Sequence, residues 1–139
     1  MSFKAVAKHA PVIITAHFTA GEAADKQFFV ADRDYEVVEV IEVHRVAGAA
    51  SSTLDVNRCA SGTAAASGTT VLASDFATDS TADTPVHKHV GNGGLATTVA
   101  ARTLSRGQSL AADFTGTITA YEGVVQVLLK PIHVAHTAY

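Results

Sequence analysis

Apolar and polar positions interleave along this chain in short runs bounded by turn residues. The longest such run is 28–46. Phe28, Phe29 and Val30 form a short apolar piece, and Asp32-Arg33-Asp34 makes a polar turn. Tyr35 then opens a long strand in which β-branched residues interleave with Glu39, Glu42, His44 and Arg45. Val, Ile and Tyr pack well on a pleated surface, and Glu and Arg tolerate its wet face. A helix would need apolar residues at 37, 38, 41 and 45, but position 45 is Arg, and β-branched crowding opposes it. The alternation is imperfect. Val37-Val38 and Val40-Ile41 are adjacent apolar pairs, so the strand is covered on both faces or carries a bulge. One face packs a core. The other, with Val38 and Val40 beside Glu36, Glu42 and His44, meets a second sheet or a neighbouring subunit.

The same pattern recurs in shorter form. Val12, Ile13 and Ile14 begin a first strand that His17 and Phe18 continue. Residues 53–59 alternate, with Leu54, Val56 and Arg58 on one side and Asp55, Asn57 and Cys59 on the other. This predicts antiparallel pairing with 35–46. Residues 60–70, built from Ala, Ser, Gly and Thr, read as a long loop. Val71, Leu72 and Phe76 read as a short helical turn plugging one end. Residues 85–90 suit an edge strand, since Pro85 cannot donate to a ladder. Strands follow at 95–104, 109–115, 117–120 and 124–129, with a hairpin-like turn at Tyr121-Glu122-Gly123. About eight short strands with turn signals every 8–12 residues predict an all-β, single-domain antiparallel β-sandwich. The long central loops favour a jelly-roll-like arrangement. The expected organisation is an N-terminal arm at 1–10, a domain at 11–131 and a C-terminal tail at 132–139.

Composition narrows the function classes. The chain has 139 residues, enough for one domain. Charged residues make up 17%, below the usual share of about 25%. A net charge of −3 gives no basic footprint for direct nucleic-acid binding. One cysteine, Cys59, excludes an intrachain disulfide and a multi-cysteine metal site. The apolar stretch at 11–18 is short and interrupted by His17, which argues against a signal peptide. No segment has the ~20 apolar residues of a membrane helix.

Seven histidines raise metal binding. His87 and His89, two apart on a strand, place both rings on one face, a usable ligand spacing. They are the weak metal candidates, with His44, His17 or an aspartate as a third ligand. Against them, no zinc signature accompanies the pair, and two polar residues on the wet face of an edge strand are the favoured reading. Asp75, Asp79 and Asp83 lack the Asp-x-Asp-x-Asp-Gly series of a calcium loop. Gly91-Asn92-Gly93-Gly94 lacks the Gly-Lys-Ser/Thr of a phosphate loop, and no Gly-x-Ser-x-Gly elbow occurs. No motif calls for a cofactor, and no residue set makes a catalytic site, so the chain reads as a non-enzyme.

The run from Ala24 to Val38 (ADKQFFVADRDYEVV), the run from Thr103 to Thr117 (TLSRGQSLAADFTGT) and the closing run from Gly123 to Lys130 (GVVQVLLK) resemble the capsid decoration, or cement, proteins of tailed bacteriophages. The resemblance covers roughly residues 20–130, excluding 60–94 and the tail. It implies a virion structural protein, made in the host cytoplasm, that binds the major capsid protein on the capsid exterior and stabilises the assembled head. It also implies self-association, with a homotrimer favoured. Phe3, Lys4, Lys8 and His9 are then candidates for a capsid-binding arm. Two alternatives carry other expectations. A tail- or fibre-associated binding module would expose aromatic residues for sugar stacking, yet Trp is absent. A cupin-like metal-binding protein would use His87 and His89.

Overall fold

The computed structural model describes residues 10–132. Ten strands run in order: β1 (Val12–Phe18), β2 (Lys26–Val30), β3 (Tyr35–Val46), β4 (Thr53–Cys59), β5 (Thr69–Thr70), β6 (Phe76–Ala77), β7 (Val86–His89), β8 (Thr103–Leu104), β9 (Ser109–Thr115) and β10 (Glu122–Pro131). They form two antiparallel sheets. The first runs β1-β10-β3-β7, with β8 also on β3; the second runs β2-β9-β4-β5, with β6 also on β4. The chain passes from one sheet to the other after each of its first three strands. Counting β5 with β6 and β7 with β8 as interrupted strands leaves eight, in the jelly-roll connectivity. The all-β sandwich expected from the sequence is therefore the fold.

The inner faces meet in one core. Val37, Val40, Leu54, Val56, Leu110, Ala112, Val125, Val127 and Leu129 are buried in it. At one end the core is aromatic: Phe18 and Phe114 meet edge to face at 5.0 Å between centroids, and Tyr121 lies 5.4 Å from Phe114.

The imperfect alternation of β3 is resolved by bulges. Leu129 pairs with Val37 and Leu128 with Glu39, leaving Val38 unpaired; Gly123 pairs with His44 and Glu122 with Val46, leaving Arg45 unpaired. Each extra residue shifts the pleat by one position. Inward positions are thus Tyr35 and Val37 before the first bulge, and Val40, Glu42 and His44 after it. Ile41 and Val43 face outward, although they are the more apolar residues.

Several local expectations are corrected. β4 does not pair with β3. It pairs with β9, β5 and β6 in the opposite sheet, because residues 47–52 carry the chain across the sandwich. Val71, Leu72 and Phe76 are buried, but in extended rather than helical backbone. Residues 95–104 hold a 3₁₀ turn at Ala100–Arg102 and only two strand residues. Residues 117–120 form a turn, and β10 begins at Glu122.

Candidate functional site

Glu42 and His44 lie two apart on β3 and both point inward. Both are fully buried, as is Tyr121 from the turn before β10. His44 Nδ1 lies 2.9 Å from Glu42 Oε1, and the Tyr121 hydroxyl donates to the same oxygen at 2.8 Å. His44 Nε2 lies 3.0 Å from the Ser80 carbonyl. A carbonyl only accepts, so Nε2 carries a proton; opposite an ionised Glu42, Nδ1 carries one too. The cluster is a buried histidine–glutamate pair closed by a phenol. Burial alone would push His44 down, but the Ser80 carbonyl and the Glu42 carboxylate outweigh it and hold its pKa above the ordinary value. Burial, with Glu42 next to it, pushes the Tyr121 phenol far up.

Local chain features build this cluster. Gly123 leaves space beside the Tyr121 ring, since a Cβ there would overlap the hydroxyl. The 78–84 loop folds over the end, supplying Ser80 and donating from the Asp83 N–H to the His44 carbonyl at 2.7 Å. Among the described residues, Glu42 Oε2 is buried without a hydrogen-bond partner. Outside lies an open cleft of ≈ 330 Å³ lined by His17, Arg45, Asp83 and Glu122 among others.

A second group of ionisable residues crosses the outer face of the other sheet. Asp55 on β4 pairs in register with Asp113 on β9. Burial raises both, with Asp75 and Asp113 adding to it at Asp55 and Asp25 adding to it at Asp113. The Thr70 hydroxyl donates to Asp55 at 2.5 Å. Lys88 approaches from β7, donating to the Ser74 carbonyl at 2.7 Å above the Phe76 ring. Its partial burial lowers its pKa.

The expected metal pair does share one outer face, but its hydrogen bonds do not make a chelate. His87 Nδ1 is 2.9 Å from Glu39 Oε1, which leaves one outward nitrogen. The His89 ring accepts from the Asn92 backbone N–H in a capping box. A neutral ring that accepts at one nitrogen holds its proton on the other, so His89 has no second lone pair to give. Among the described residues, no group of three or more His, Cys, Asp or Glu side chains is placed to hold a metal ion.

The other sequence candidates have structural partners. Asp75 accepts from Thr53 Oγ1 at 3.2 Å and Asp79 from the Ser51 N–H at 2.7 Å, so the three loop aspartates do separate jobs. Cys59 is buried beneath the 60–68 loop, and burial pushes its thiol up. The arm candidates Phe3, Lys4, Lys8 and His9, and the tail histidines His133 and His136, lie outside the described residues.

No protein-family model and no curated protein matches the chain. Among solved structures it is similar to a chain described as "Structure of infectious bursal disease virus Gx strain", at 13% identity and a TM-score of 0.29. That match covers 89% of this chain and 37% of the other. A likeness this distant carries no argument about role.

Proposed function

We propose that this chain is a virion structural protein, a decoration or cement protein that binds the major capsid protein on the capsid exterior and stabilises the assembled head. It works without a catalytic step and as a homo-oligomer. The fold itself does not select this role, since jelly rolls host many functions.

The observation that supports the reading is the unequal covering of the two sheets. The outer face of the second sheet is roofed at one end by the 60–68 loop, which buries Asn57, Cys59, Ser109 and Ala111. Among the described residues, the outer face of the first sheet has no such roof. Its three cross-strand rows are Ile13, Leu128, Glu39 and His89; Thr15, Gln126, Ile41 and His87; and His17, Val124 and Val43. Leu128, Val124, Ile41 and Val43 make the middle largely aliphatic, with Glu39 and Gln126 among them, and His17, His87 and His89 lie on the margins. An exposed antiparallel face is ordinarily polar, and this one suits contact with another protein. The most reactive-looking group, His44, spends both ring nitrogens on Glu42 and Ser80, which fits a brace better than a catalyst.

Co-sedimentation with assembled capsids tests the proposal. Binding that saturates at a fixed ratio to capsid subunits is expected, and absence of binding overturns it. Removing residues 1–10 is expected to weaken binding while leaving the fold intact. Unchanged binding would remove the arm from the account.

A further inference from the structure

β1 is an open edge. Its strand partner is β10, and no strand lies on its other side among the described residues. Such an edge presents alternate backbone N–H and C=O groups as a template for another chain. Natural edges are blunted by Lys, Pro, bulges or short length. β1 has none of these: Val12–Phe18 reads VIITAHF over 7 residues and keeps register with β10 throughout. Its protection is confined to one end, where Lys26 Nζ lies 3.4 Å from the His17 carbonyl and above the Phe18 ring. The opposite flank of the sandwich is different, ending in the short strands β5 to β8. Exposed aliphatic side chains also gather on the β1 flank. Ile13 is 65% exposed, and Val30 on β2, the edge of the second sheet, is 63% exposed.

We propose that β1 pairs antiparallel with β1 of a second copy about a two-fold axis at Thr15, joining two first sheets into one. The occupant follows from the strand. Unpaired backbone groups require an extended backbone, and in the register that engages all seven residues this strand complements itself. Thr15 faces Thr15 of the partner subunit, Ile13 faces His17 of the partner subunit, and Ile14 faces Ala16 of the partner subunit. Thr–Thr and aliphatic–aromatic pairs are favourable across strands. The strand carries no Asp, Glu, Lys or Arg, so no like charges meet and no formal charge is desolvated. The long Lys26 contact at the solvent edge gives way to an incoming backbone N–H. Pairing also makes the aliphatic rows of the two first sheets continuous. The inference stands independently of a virion role.

Sedimentation equilibrium and amide hydrogen exchange on the full chain test it. Thr15 is exposed, so Thr15→Lys leaves the single-chain fold intact while setting two ammonium groups opposite each other across the axis. The wild type is expected at twice 14.3 kDa and the variant at 14.3 kDa, with the same circular dichroism. The outward β1 amides are expected to exchange about tenfold faster in the variant. Thr15→Val, which keeps the shape and strand propensity, is expected to remain paired. A single-chain mass for the wild type at its highest soluble concentration overturns the proposal. So does an oligomer that survives Thr15→Lys, a trimer, or β1 amides protected in a single-chain species, which would mean another segment of the same chain covers the edge.

Discussion

Replacing one member of the buried Glu42–His44 pair should cost far more than replacing both. In His44→Leu, the Glu42 carboxylate stays buried with only the Tyr121 hydroxyl for a partner, because Oε2 already has none. Removing one side of a buried ion pair costs about 3–5 kcal/mol. For a domain of this length that lowers the melting temperature by on the order of 10 °C. Glu42→Leu strands the His44 Nδ1–H and the Tyr121 hydroxyl instead, at a similar cost. Glu42→Leu with His44→Leu removes both charges and leaves apolar side chains facing Val40 and Val125. Such exchanges are often neutral or stabilising, so the double variant should be destabilised by far less than the sum of the singles. Urea unfolding followed by far-ultraviolet circular dichroism gives the three values. Additivity within about 0.5 kcal/mol would refute the coupling.

Four further outcomes follow from the same geometry. His44 has a folded-state pKa raised above its unfolded value, so its stabilising contribution is complete below about pH 6.5 and is lost as pH rises through the folded pKa. The melting temperature should fall across that range in the wild type, and much less in His44→Leu. Gly123→Ala should destabilise by roughly 1–3 kcal/mol by displacing the Tyr121 ring, and should keep much of that cost in a Tyr121→Phe background, because the ring Cζ would still lie 2.6 Å from the new Cβ. Gly68→Ala would place a Cβ 2.7 Å from the Arg58 carbonyl and 2.6 Å from Cys59 Sγ; Cys59 should be inert to thiol reagents in the native wild type and reactive in this variant. Zinc in molar excess should leave the melting temperature unchanged, because His87 and His89 together offer one free lone pair; a rise that His87→Ala abolishes would contradict this.

Strand content was legible because β-branched residues and turn signals report local backbone directly. The adjacent pairs Val37-Val38 and Val40-Ile41 also announced the irregularity in β3. What they did not announce was its consequence. Parity counted from Val37 puts Ile41 and Val43 inside, but the bulge at Val38 moves Glu42 and His44 there instead. The spacing of Glu42 and His44 in step with Val40 was the available signal. It carries information only once the bulge is located, and that depends on β10, more than 75 residues away for Tyr121 and Glu42. The pairing of β4 failed for a related reason. Consecutive strands usually neighbour one another, whereas here the chain changes sheets after β3. The His87–His89 spacing was read correctly as one shared face, but the lone pairs depend on Glu39 and Asn92, which spacing cannot show.

The virion role is tested most directly by quantitative mass spectrometry of density-purified particles, with heads and tails separated. A cement protein should be found on intact heads, at a fixed copy number relative to the major capsid protein and accessible to surface labelling. Its absence from purified particles, or its recovery with tails alone, would contradict it.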